Sequence, residues 1–154
     1  KNCDGRVPAM DEAAFTADDQ KLLGSAHDLL EQVRAHMDAQ AFHEALETVW
    51  LVIRAANAYV DHQAPWKLRK EDPVRMEQVL YTLAEVIRHV ALILQPYMPE
   101  SCGRMLDQLS IAPEHRSFEA SGPAQALKSG TELPKPEGVF PRLVEDAENN
   151  EDNG

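Results

Sequence analysis

Histidines that stand beside acidic residues are the side chains of this sequence best suited to hold a metal ion. An adjacent pair such as His27-Asp28 can share a metal with an upstream histidine and a distant aspartate, but no histidine precedes His27. His43-Glu44 begins the His-Glu-x-x-His pattern of a zinc-binding helix, but Glu47 stands where the second imidazole is required. We therefore predict no metal site. The other histidines are predicted to be solvated or to cap helices; they are His36, His62, His89 and His115.

Patterns for nucleophilic or phosphate chemistry are also missing from the sequence. It contains no Gly-x-Ser-x-Gly motif, no glycine-rich phosphate loop and no cysteine placed with a base. Cys3 and Cys102 lie far apart and form no disulfide framework. The residues therefore favour a binding module over an enzyme, and they predict no catalytic residue and no cofactor in this chain.

One aromatic side chain stands beside the densest positive charge of the chain. Trp66 follows Pro65, and Lys67, Arg69 and Lys70 come directly after it. Bases of single-stranded nucleic acid stack on aromatic rings, and their phosphates attract lysine and arginine. The pattern therefore indicates a candidate nucleic-acid site, with the three cations as candidate phosphate contacts. The alternative is that the indole closes one end of a helical core, since tryptophan is highly buried on average.

Asn57 is a polar residue close to the apolar stripe of the helix that leads to Pro65. An amide that is buried must find hydrogen-bond partners, or its burial costs roughly 1–3 kcal/mol. From the residues alone, Asn57 is either a satisfied polar group of the core or a group that reads a ligand.

Charge is segregated along the chain, whose formal net charge is -11. Such a charge argues against nucleic-acid binding over the whole surface, because phosphate contacts need cations. It allows a local patch, since residues 54–75 carry five bases and three acids, a local charge of +2. The sequence has no apolar run long enough for a membrane span and no signal-peptide pattern. We therefore expect a cytoplasmic protein without a membrane partner.

Apolar residues recur at helical spacing in four stretches of the chain. Thr16 caps the first helix, Pro65 ends the second near Gln63, and Asp72-Pro73 begins the third. Because short connections join the three long helices, we predict an all-α fold, an antiparallel helix bundle that a short fourth helix closes. The predicted helices span residues 17–38, 41–63, 73–95 and 99–109.

The composition changes after Ser110, where prolines and glycines become too frequent for regular structure. We predict a helical bundle over residues 1–110, an extended Pro/Gly-rich arm over 111–144 and an acidic disordered tail over 145–154. The arm is expected to pack on the bundle through its large apolar residues, which are Phe118, Leu127, Leu133, Val139, Phe140 and Leu143.

Several motifs of this chain, taken in order, resemble the anticodon-binding helical domain of methionyl-tRNA synthetase. The most specific is Asn57-x-Tyr59 followed by Pro65-Trp66. Class I synthetases for Ile, Leu and Val share the bundle and a looser version of this motif, and Phe140-Pro141-Arg142 favours the methionine enzyme. The resemblance covers residues 40–144, and its further matches include Ala45-Leu46, Trp50, Val79-Leu80-Tyr81, Leu94-Gln95-Pro96-Tyr97 and Gln108-Leu109.

The resemblance implies a role for the indole, because in that family the tryptophan of the Pro-Trp pair stacks on the anticodon of methionine tRNA. It therefore implies that Trp66 binds the anticodon, and we place Asn57 and Pro65 in the same site. The family's other main anticodon contacts, an asparagine and an arginine, would lie on a helix just before Lys1. We therefore expect the first helix of the domain to be truncated in this chain.

The resemblance also implies a parent enzyme that uses ATP to attach methionine to its tRNA in a catalytic domain of the same polypeptide. That domain's nucleotide-binding motifs are not in this sequence. This chain alone is therefore expected to be inactive and to bind tRNA weakly. Loss of the first helix should also expose apolar surface and favour self-association. Two alternatives remain, a related class I synthetase and a helical protein-interaction module that binds no RNA.

Overall fold

The fold is a bundle of α-helices, seen in a computed structural model that describes residues 3–140. The all-α prediction is confirmed, and the described residues form one isolated antiparallel bridge, Arg6 with Glu132, in place of a sheet. None of the described helices is both long enough and apolar enough to cross a lipid bilayer. The helices are α1 (Ala17–His27), α2 (Leu29–Asp38), α3 (Phe42–Gln63), α4 (Pro65–Glu71), α5 (Pro73–Leu94) and α6 (Pro99–Gln108).

The first predicted helix is two helices in the structure, divided at Asp28. Asp28 has ψ of -12°, which tightens the turn between α1 and α2 for one residue. The pair Gly24-Ser25 precedes the break, and Gly/Ser pairs are common kink sites in helices. The predicted cap at Thr16 is present as a capping box with Asp19. The prediction of a single helix over residues 17–38 was therefore wrong at Asp28.

A short helix follows the proline at the end of α3, which the sequence analysis did not predict. α3 ends at Gln63 as predicted, and Ala64 leaves the right-handed helical region with φ of 45° and ψ of 60°. Pro65 then occupies the first position of α4, where its fixed φ suits a helix and its missing N–H costs nothing. The chain therefore turns sharply at Ala64 and carries Trp66 on a new helix.

α5 is the central element of the core. Its apolar side chains pack against α1, α2, α3 and Cys102 of α6, as the predicted helix bundle requires. Its C-terminal part is buried on every side, since all residues from Arg88 to Leu94 are buried. Two polar side chains, Arg88 and His89, are included in this buried part of the helix, and Glu85 is buried one turn before it.

The segment after α6 lies on the bundle, but it is less extended than predicted. It contains three turns of 3₁₀-helix at Pro113–His115, Phe118–Ser121 and Pro123–Gln125. Leu127 is buried, Phe118, Leu133 and Val139 are half-buried, and Phe140 is exposed. The arm therefore packs through part of its predicted apolar set. Leu143 and the acidic tail over 145–154 lie outside the described residues.

Candidate nucleic-acid interface

The indole of Trp66 lies on the surface of the protein. Its exposed fraction is 58%, and Trp66 is the second residue of α4. The sharp turn at Ala64 directs the chain away from α3 before the indole is reached. The alternative in which Trp66 closes the core therefore does not hold, and its ring is available to a ligand.

The three cations predicted to accompany Trp66 lie on the same short helix. Lys67, Arg69 and Lys70 are all exposed and belong to α4. None of the ion pairs among residues 3–140 involves any of these three side chains. Their charges are therefore not neutralised by a described carboxylate, and they share a seven-residue helix with an exposed indole in a chain that is otherwise acidic.

Asn57 is exposed rather than buried. No side-chain hydrogen bond of its amide occurs among the described residues, so the reading of Asn57 as a satisfied core group was wrong. Asn57 lies on α3, roughly 9 Å along the helix axis before Gln63. The structure thus places Trp66 and the three cations on one helix and Asn57 on the neighbouring one, with its amide free to bind a ligand.

An apolar groove of about 470 Å³ lies beside Asn57, between α3 and α5, and Met105 of α6 and Met98, which precedes α6, add to its wall. Four of its apolar side chains are also strongly exposed, with Trp50 at 53% and Phe140 at 65%. An apolar groove with exposed aromatic side chains on its rim is a candidate interaction site. The residues that line the groove include Trp50, Ile53, Asn57, Val60, Leu83, Ile87, Met98, Met105 and Phe140.

Comparison with protein families decides where this bundle belongs. The family model described as the anticodon binding domain of methionyl tRNA ligase matches residues 7–153. The chain belongs to this family of anticodon-binding domains. The motifs Asn57-x-Tyr59 and Pro65-Trp66 therefore identified the family correctly, and the methionine branch indicated by Phe140-Pro141-Arg142 agrees with the match.

Curated and solved relatives carry the same name. The methionine–tRNA ligase of Mycobacterium bovis is 51% identical over 146 residues, which cover 92% of this chain and 27% of the relative. That of Brucella suis is 45% identical and is matched over 97% of this chain and 28% of its own length. The crystal structure of free Mycobacterium tuberculosis methionyl-tRNA synthetase superposes with a TM-score of 0.88 at 50% identity, over 94% of this chain and 29% of that one. The domain thus spans little more than a quarter of each relative's length.

The apolar groove of this anticodon-binding domain should cause the isolated 154-residue chain to self-associate. Replacing Trp50 with glutamate places a charge in the groove, and we expect the dimer to weaken about tenfold or more. Sedimentation velocity over a range of concentrations measures this change. Trp66→Glu is the matched control, because that indole is equally exposed and lies outside the groove. A chain that stays monomeric at every concentration would contradict the prediction.

A second cluster, which sequence spacing did not reveal, joins the exposed His27 of α1 to the buried Glu85 and His89 of α5. One potential ligand atom from each residue lies within 4.8 Å of the other two, and the two imidazole centroids are 4.9 Å apart. His89 is fully buried, so its prediction as a solvated or capping histidine was wrong. The i, i+4 spacing of Glu85 and His89 was the available signal, because it places both side chains on one face of α5.

The cluster is already occupied by a cationic side chain. Arg88 Nη2 donates a hydrogen bond to Glu85 Oε1 and lies 3.1 Å from His89 Nε2. The distance between Glu85 Oε1 and His89 Nε2 is 3.3 Å. Burial would raise the pKa of Glu85, but hydrogen bonds from His89 and Arg88 outweigh burial and lower the pKa to about 2. A metal ion between these groups would meet the charge of Arg88. The geometry is therefore that of a buried ion-pair network.

Proposed function

We propose that this domain binds the anticodon loop of methionine tRNA through Trp66. An unstacked base lies on the exposed indole, and Lys67, Arg69 and Lys70 contact the neighbouring phosphates. Asn57 and Pro65 form the side of the site that faces α3. The observation that carries the proposal is an accessible indole beside three unneutralised cations in a chain of net charge -11, within a domain of the anticodon-binding family.

The two kinds of contact have different roles in this proposal. Stacking on an aromatic ring is worth roughly 1–3 kcal/mol per base and tolerates every base, so Trp66 provides affinity without identity. Phosphate contacts likewise position the RNA without reading its sequence. Identity requires hydrogen bonds to base edges, and the exposed amide of Asn57 is a donor and acceptor suited to that task.

The domain acts within a larger enzyme in this proposal. The parent methionyl-tRNA synthetase uses ATP to attach methionine to its tRNA in a catalytic domain of the same polypeptide, while this domain selects the tRNA. The 154-residue chain offers no nucleophile motif and no phosphate-binding loop of its own. We therefore propose that the chain alone forms no methionyl-adenylate.

Substitution of Trp66 by alanine tests the proposal. Because one stacked base is lost, we expect the dissociation constant for a methionine tRNA transcript to rise about 5- to 150-fold. Fluorescence anisotropy of a labelled transcript measures it, at protein concentrations below those of self-association. Trp50→Ala is the matched control, since its indole is 53% exposed and lies on α3 roughly 10 Å along the helix axis before Asn57.

The outcomes of this comparison separate two functions. Loss of affinity with Trp66→Ala alone supports anticodon binding. Unchanged RNA affinity in both variants would overturn it and would leave a protein-interaction module, the second candidate that the apolar groove favours. Replacing Lys67, Arg69 and Lys70 with glutamine tests the phosphate contacts separately. Each lost contact should reduce the slope of the logarithm of the binding constant against the logarithm of the salt concentration by about 0.7.

A further inference from the structure

A buried carboxylate connects three helices immediately behind the proposed RNA site. Asp19 of α1 has no exposed surface, and it accepts hydrogen bonds from Tyr59 of α3 and Arg75 of α5. Arg75 makes a bidentate contact, with Nη2 at 2.9 Å from Asp19 Oδ1 and Nη1 bonded to Oδ2. The backbone N–H of Thr16 also donates to this carboxylate at 2.7 Å. Asp19, Tyr59 and Arg75, here called the buried triad, therefore hold α1, α3 and α5 in a fixed relation.

Gln63 extends this network to the end of α3. Its Oε1 accepts a hydrogen bond from Arg75 Nη2 at 2.8 Å, and its Nε2 donates to Asp18 Oδ2 at 3.2 Å. Gln63 is the last residue of α3, so both the oxygen and the nitrogen of its amide are hydrogen-bonded at the position where the helix ends. Only Ala64 and Pro65 separate this anchored side chain from Trp66.

The turn that follows Gln63 needs such support. Ala64 has φ of 45°, in the left-handed region that residues other than glycine avoid. A residue before proline also prefers extended backbone, so this conformation is doubly unfavourable. Surrounding structure must hold a strained residue of this kind in place. Backbone hydrogen bonds of Ala64, from its N–H to the Val60 carbonyl and from the Lys67 N–H to its own carbonyl, hold the turn locally, and the side-chain contacts of Gln63 connect the turn to α1 and α5.

We propose that the buried triad and Gln63 are positioning residues, which hold the turn at Ala64 so that the indole of Trp66 is fixed before RNA arrives. This inference rests on the proposed function of Trp66. A base that stacks on a fixed ring does not have to order that ring during binding, and preorganisation of this kind increases affinity. Asp19 and Tyr59 do not touch the RNA in this proposal because both are buried, and the guanidinium of Arg75, whose side chain is 16% exposed, is bonded to Asp19 and Gln63.

Two buried tyrosines of α5 and α3 allow a matched test. Tyr59→Phe removes the hydroxyl that bonds to Asp19, whereas Tyr81→Phe removes a buried hydroxyl that bonds to the carbonyl of Leu127 on the arm. Both are made in a Trp50→Phe background, where Trp66 is the one remaining tryptophan. We expect Tyr59→Phe to lower the fluorescence anisotropy of Trp66 and to raise the dissociation constant for the tRNA transcript about 3- to 10-fold. Tyr81→Phe should leave both quantities unchanged.

Gln63→Met provides a second variant that keeps the buried triad intact. It removes the connection between Arg75 and the end of α3, so it should reproduce the effects of Tyr59→Phe with a smaller loss of stability. If Tyr59→Phe does not fold, Gln63→Met decides the question. The inference is overturned when Gln63→Met leaves the anisotropy of Trp66 and the RNA affinity unchanged, or when Tyr81→Phe changes them equally.

The test distinguishes failure of this inference from failure of the proposed function. If Trp66→Ala has no effect on RNA binding, the proposed function fails whatever the positioning variants show. If Trp66→Ala weakens binding and the positioning variants do not, only the positioning role is lost. The anisotropy of Trp66 is measured without RNA and therefore reports on the turn itself in both cases.

Discussion

Replacing Arg88 with methionine is expected to lower the free energy of unfolding by about 3–5 kcal/mol, the usual cost of removing one partner from a buried ion pair. Arg88 is 1% exposed, and its guanidinium donates to Glu85 and to the carbonyl of Ala120. Methionine fills similar space but leaves the carboxylate of Glu85 buried without its cation. Urea denaturation followed by circular dichroism measures the loss.

The matched control for this substitution is Arg54→Met. Arg54 pairs with Glu47, and the side chains of the two residues are 55% and 49% exposed. Exposed pairs contribute at most about 1 kcal/mol, so this variant should unfold close to the original midpoint. An equal decrease in the free energy of unfolding at the two positions would show that burial does not make the ion pair of Arg88 with Glu85 more important for stability than an exposed pair.

Acidification from about pH 5 to about pH 2 should remove roughly 2 kcal/mol of stability for each of two buried carboxylates. Burial would raise the pKa of Asp19, but hydrogen bonds from Arg75, Tyr59 and Thr16 outweigh burial and lower the pKa to about 2. The pKa of Glu85 is also lowered to about 2. In the unfolded chain both groups titrate near pH 4, so the unfolded state binds more protons in this interval. The contribution of these two carboxylates to the free energy of unfolding is therefore fully present above about pH 5 and is lost as the pH falls through their folded-state pKa values.

Urea unfolding at a series of pH values measures this decline. Asp19→Asn and Glu85→Gln should each be less stable at neutral pH, but each should lose less stability on acidification, because one titrating group is gone. Asp28→Asn, at an exposed position between α1 and α2, should keep the original slope. A slope unchanged in both Asp19→Asn and Glu85→Gln would show that other groups cause the acid sensitivity.

The sequence was sufficient for the features that depend on local rules. Helical spacing and the caps at Thr16 and Asp72 predicted the long helices within a residue or two of their bounds, except at the break near Asp28. Pro65 also predicted the end of α3, because a proline disfavours the helical conformation of the residue directly before it. The continuation as α4 was missed because its seven residues are too few to show an apolar period.

Burial of particular polar groups could not be predicted, because it depends on contacts between residues far apart in the chain. Arg88 and Glu85 look like an exposed pair one turn apart on a helix, but their other partners are Ala120 and Leu127 on the arm. Asn57 shows the opposite case, since it follows an apolar stripe and is nevertheless exposed. In the candidate site, residue types indicated Trp66 and its cations, whereas the accessibility of the indole required the three-dimensional path through Ala64.

Four polar side chains of α5 and of its C-terminal end bind the main chain of the arm after α6, beside the apolar contact of Leu127 with Tyr81. Arg88 bonds to the carbonyl of Ala120, Gln95 to that of Arg116, and Tyr81 and Glu85 to the carbonyl and N–H of Leu127. Every amino acid offers that carbonyl, and every one except proline offers that N–H. These hydrogen bonds therefore set no requirement for a particular side chain in the arm, where burial limits the choice at Ala120 and Leu127, and the requirement for particular polar groups falls on the four side chains that make the bonds.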